Sequence, residues 1–93
     1  MNKHFNRLTP GEAERLALVA EECAEAIQAI GKILRHGYES RNPNIPVSIT
    51  NRAMLTKELG DICAVMDVIC RAGDIDAATM HRYREGKHVK LKG

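Results

Sequence analysis

The chain has 93 residues, 14 of them Lys or Arg against 12 Asp or Glu, for a formal net charge of +2. That length leaves room for one domain, and the near balance of charge excludes a nucleic-acid-binding surface announced by charge alone. Hydrophobic residues make up 44% of the sequence, aromatics only 3%, and there is no Trp, so the core must be built from Leu, Ile, Val, Ala and Met; this palette suits an all-α bundle and disfavours a sandwich or barrel.

The first element opens at Thr9-Pro10-Gly11-Glu12, in which Thr9 caps, Pro10 takes the first helical position and Glu12 completes a capping box. The helix is predicted to run to about residue 35, with Gly37 as its stop. Residues 38–48 hold Pro43, Pro46 and several Asn and Ser, a combination that resists regular structure and reads as a loop. A second helix is predicted from Thr50 or Asn51, carrying Met54, Leu55, Leu59, Ile62, Val65, Met66 and Ile69, until Gly73 ends it. Asp74 or Asp76 can cap a third, shorter helix, whose periodicity is weak and which Gly86 interrupts, so its far end is expected to fray. The expected architecture is two long antiparallel helices plus a shorter C-terminal one. Because so short a chain buries a smaller share of its surface than a larger domain does, a partner subunit is expected to complete the bundle.

At about 100° per residue, Leu16, Val19, Ala20, Cys23, Ile27, Ile30 and Leu34 share one stripe of the first helix, which reads as ordinary core. On the far side runs a second stripe, Leu18, Glu22, Glu25 and Ala29, where two acids at i and i+3 interrupt apolar residues. The second helix repeats the arrangement. Leu55, Leu59, Ile62, Met66 and Ile69 form its main stripe, and Met54, Glu58, Asp61, Val65, Val68 and Ala72 an adjoining one. What is left is a narrow polar strip around Lys57, Gly60, Asp67 and Arg71, so this helix is expected to be covered by more than one neighbour.

A single Glu-x-x-Glu is an everyday feature of solvated helices. Two such pairs on successive helices, each within an apolar stripe, point instead to four carboxylates converging on one space of low dielectric. Burying isolated charges costs several kcal/mol or more, which a divalent cation offsets. Oxygen-only ligation suits Mg²⁺, with Mn²⁺ as the alternative, over Zn²⁺, and Mg²⁺ retains waters and takes substrate phosphates as ligands.

Glu21-Glu22-Cys23-Ala24-Glu25, followed by Glu58-Leu59-Gly60-Asp61-Ile62, resembles the Glu-x-x-Glu and Glu-x-x-Asp signature of the MazG-like all-α nucleoside triphosphate pyrophosphohydrolases. The resemblance spans roughly residues 16–69. It implies a helical bundle completed by dimerisation or tetramerisation, and cleavage of an NTP or dNTP between its α and β phosphates to the monophosphate and pyrophosphate. Carried over residue by residue, it makes Glu22, Glu25, Glu58 and Asp61 the catalytic, metal-holding set; Glu21 points about 100° away from Glu22 and is either a general base or, the preferred reading, solvated. The chain departs from the family pattern in three ways: Lys57 stands where many members have a further acid, the 32 residues between the motifs are on the long side, and the C-terminal region is short.

Four basic residues are candidates for substrate phosphates. Lys32 and His36 lie within about 20° of Glu25 on the wheel and roughly 10 to 17 Å along the axis, although their place in the last helical turns also suits the helix dipole. Lys87 and Lys90 belong to residues 82–93, five of which are Lys or Arg; they either fold over the phosphates or form a solvated end. Glu85-Gly86-Lys87-His88 has the Glu-x-x-His spacing of di-iron bundles, but occurs once, where such sites need two. Cys23, Cys63 and Cys70 sit in apolar patterns without a Cys-x-x-Cys pair and read as reduced core residues. With no apolar run of about 18 residues and no apolar signal core, a cytoplasmic protein without a membrane span is expected. A non-catalytic nucleotide-binding or oligomerisation module is the alternative to an enzyme.

Overall fold

The computed structural model describes residues 5–45 and 48–93. Within them the chain forms three helices, α1 (Pro10–His36), α2 (Asn51–Arg71) and α3 (Ala77–Lys92), and no strand. Each start is chemically encoded. The Thr9 side chain accepts from Glu12 N at 3.1 Å while Glu12 Oε1 accepts from Thr9 N at 2.7 Å, closing the capping box. Thr50 caps α2 by accepting from Ala53 N, and of the two candidate caps for α3 it is Asp76 that accepts from Thr79 N. Gly37 ends α1 at a φ of +89°, a conformation that side chains with a Cβ rarely adopt.

α1 and α2 form an antiparallel hairpin. At one end the backbone N–H groups of Asn51 and Arg52 donate to the carbonyls of Ser40 and Tyr38, and Asn51 Nδ2 donates to the Gly37 carbonyl. The Arg52 guanidinium lies 4.2 Å from the centre of the Tyr38 ring and bonds Glu39, so the loop is pinned to the start of α2. Pro46 lies outside the described residues. At the other end Arg15 grips Asp74 with both arms of its guanidinium, Nε to Oδ2 at 2.6 Å and Nη2 to Oδ1 at 3.0 Å. This hydrogen-bonded pairing holds the Asp74 carboxyl below its ordinary range. Asp74 therefore clamps α1 to the turn after α2 and leaves capping to Asp76.

The stripe of α1 expected as core does not form it within the chain. Ala26 and Ala29, at 5% and 4% exposure, are the buried residues of α1, whereas Ile27 and Leu34 stand 68% and 82% exposed. The reason is that α1 turns its acid-bearing stripe, with Ala29, toward α2. Small side chains there let the helices approach closely. On α2, Ile69 is buried, but Leu59 and Val68 remain open. Cys63 is exposed and Cys23 and Cys70 are half-buried, all three as free thiols; the exposed Cys63 is no core residue.

α3 runs unbroken through Gly86 to Lys92 and buries no side chain. One exposed glycine costs a helix about 1 kcal/mol, which is too little to end it when a cap fixes its start. The Cα radius of gyration is 17.1 Å, against about 12 Å for a compact domain of this length. The accessible surface of 7499 Å² likewise exceeds the roughly 5,400 Å² of a compact monomer of this mass. Among the described residues, no helix is long and apolar enough to cross a membrane.

Candidate metal centre

The i, i+3 spacing places Glu22 and Glu25 on one face of α1, and Glu58 and Asp61 on one face of α2. The antiparallel pairing then sets the two faces against each other. One carboxylate oxygen from each of the four lies within 4.8 Å of the others. Glu58 is the innermost, at 4% exposure, while Glu22, Glu25 and Asp61 are half-buried. The site thus lies in the seam between the helices.

Within this seam, Glu22 Oε2 and Glu58 Oε2 are buried and have no hydrogen-bond donor. Buried carboxylate oxygens without donors carry the full cost of desolvation. A proton on Glu25 relieves part of it. Such a proton is shared toward Glu58, and with repulsion from Glu22 and Glu58 this raises the Glu25 carboxyl above its ordinary value of 4.5. A divalent cation relieves more, and the donor set fits one: oxygen-only, from four acids, with two oxygens otherwise unpartnered.

Lys57 is the residue whose part in this site its position on the wheel obscured. Its ammonium donates to Asp61 Oδ2 at 2.9 Å and to Glu58 Oε1 at 3.2 Å. These bonds, Asp61 first, hold the ammonium protonated well above the ordinary lysine range. The signal available in the sequence was the i, i+4 spacing from Lys57 to Asp61. On a wheel Lys57 falls in the polar strip, but its long side chain reaches forward to the turn that carries the acids.

The four basic candidates divide. A cavity of about 280 Å³ beside the acids is lined by Glu25, Gln28, Ala29, Lys32, Met54 and Glu58. Lys32 also lines a larger neighbouring cavity of about 540 Å³, with Arg35, His36 and Arg41 among its walls. Lys32 is therefore brought to the carboxylates, whereas His36 and Arg35 line only the larger cavity. Lys87 and Lys90 instead line a hollow on α3 with Arg82, Tyr83 and Gly86, and the structure does not bring them to the acids. Glu21 is exposed. Asn51 and Tyr38 are engaged in holding the loop, and Asn42 lines the larger cavity.

No family model, curated protein or solved structure matches this chain.

Proposed function

We propose that the chain is a Mg²⁺-dependent nucleotide pyrophosphohydrolase that cleaves an NTP or dNTP between its α and β phosphates, releasing the monophosphate and pyrophosphate. The observation that carries this reading is the convergence of Glu22, Glu25, Glu58 and Asp61 within 4.8 Å, with two buried oxygens lacking donors. The motif resemblance supplies the reaction. A bound Mg²⁺, or Mn²⁺ in its place, would neutralise phosphate charge and lower the pKa of a water. Glu22, Glu25, Glu58 and Asp61 would hold the ion, and the burial of Glu58 shields its carboxylate from competing water. Lys32 and His36 meet the polyphosphate on the side of the larger cavity. Water attacks one of the two phosphorus atoms, the bond from that atom to the bridging oxygen breaks, the oxygen leaves with the other product, and the proton of the water passes to solvent.

In this reading the enzyme is a cytoplasmic homodimer or homotetramer, supported by the exposed Ile27 and Leu34. Lys87 and Lys90 then act on substrate only from a neighbouring copy. The test is a panel of canonical and modified nucleotides assayed for pyrophosphate with and without Mg²⁺. Magnesium-dependent release from at least one is expected; none across the panel, with Mg²⁺ and with Mn²⁺, rejects the enzyme.

A second reading, a nucleotide-binding or oligomerisation module without turnover, is favoured by Lys57, whose ammonium already offsets part of the acid charge. Calorimetry separates the two. Tight nucleotide binding without product selects the binding module, and neither binding nor turnover selects oligomerisation alone.

A further inference from the structure

Glu58 and Asp61 each have two carboxylate oxygens, and the structure uses them unequally. Glu58 Oε1 and Asp61 Oδ2 accept from the Lys57 ammonium at 3.2 and 2.9 Å. Glu58 Oε2 is buried without a donor, as is Glu22 Oε2, and Glu58 as a whole is 4% exposed. One side of the cluster is therefore closed by an organic cation, while buried oxygens elsewhere in it await a partner.

Two-metal centres hold their ions about 3.5–4 Å apart and use carboxylates to bridge them. Here one oxygen of Glu58 and one of Asp61 are already engaged by the ammonium, whose charge would repel a second ion. Charge leads to the same conclusion. Four carboxylates and one lysine keep a single net negative charge after one divalent ion binds, whereas a second ion would leave the set positive.

We infer that Lys57 takes the place of a second divalent cation, so that this centre holds one metal ion per chain. The inference rests on the metal-centre reading above. Lys57 is a positioning residue: it orients Glu58 and Asp61 and sets the charge of the site.

The experiment counts Mn²⁺ bound to the full chain, by calorimetry and by electron paramagnetic resonance, for the wild type, Lys57→Arg and Lys57→Gln. One ion with the spectrum of isolated Mn²⁺ is expected for the first two. Two ions per chain, with the exchange-coupled spectrum of neighbouring ions, are expected for Lys57→Gln. Two ions in the wild type, or still one in Lys57→Gln, overturn the inference and leave the metal centre standing. No ion in the wild type overturns the metal centre itself. Circular dichroism establishes that each variant is folded, and Lys57→Ala replaces Lys57→Gln if the latter is not.

Discussion

With Glu25 ionised, Glu58 has one oxygen on an ammonium and the other buried without a donor, so burying that charge costs the metal-free protein stability. Glu58→Gln removes the buried charge and the ligand together. The metal-free variant is expected to melt at or above the wild-type temperature, to lose the rise in melting temperature that Mg²⁺ gives, and to lose turnover by at least about 100-fold, since even outer partners of a metal ligand are worth about 10–100-fold. Differential scanning calorimetry with and without Mg²⁺ checks the first two, and a steady-state assay the third. Glu25 sets the pH dependence. Its carboxyl titrates above its ordinary value of 4.5 in the fold, so between the two values the folded state binds more protons than the unfolded one. Stability of the metal-free protein is therefore expected to fall as pH rises through that window, and Mg²⁺ affinity to fall as pH drops through it. Metal titrations in buffers of different ionisation enthalpy should register proton release on binding. Of these residues, the four acids were legible from spacing alone. The tie of Lys57 to Asp61 was legible in their i, i+4 spacing, but its second bond, to the adjacent Glu58, was not, because a wheel records where a side chain begins and not where its charged end arrives.

The helices themselves were legible wherever a local signal decides. Thr9 and Glu12 close the capping box the sequence spells, and Gly37 stops α1 where only a residue without a Cβ is comfortable. Which apolar stripe of α1 faces α2 was not legible, because Leu16, Ile27, Ile30 and Leu34 make as good a core on a wheel as Ala26 and Ala29 make in the fold. That choice belongs to the pairing of two helices, to which a single-helix pattern is blind. The same limit applies to Asp74, whose partner Arg15 is 59 residues away in the chain. For α3 the weak apolar periodicity was read as fraying, yet the helix continues through Gly86, where an added Cβ would meet nothing within 4 Å. Gly86→Ala is expected to stabilise α3 locally by about 0.5–1 kcal/mol. Slower amide exchange confined to α3 is the sign to look for, with the α1–α2 hairpin unchanged.

A chain with a 17.1 Å radius of gyration and Leu34 82% exposed leaves much apolar surface in water, which soluble monomers seldom do. Ile27 and Leu34 lie on the stripe of α1 opposite the acids, so a second copy can cover them without entering the site. The double variant Ile27→Glu with Leu34→Glu is expected to sediment as a monomer where the wild type sediments as a dimer or tetramer, while its acid cluster still takes up Mn²⁺. A wild type that sediments as a monomer at micromolar concentration rejects the oligomer. Along the inner side of α1 a different asymmetry runs. The face passes from Glu22 and Glu25 to Lys32, Arg35 and His36 in about three turns, and these three bases form no ion pair among the described residues. α1 thus carries acids near its middle and the cations Lys32 and Arg35 toward the loop. Under the proposed function this separation of sign would draw a small cation to one end and a polyanion to the other, so that the two reactants would approach by separate routes.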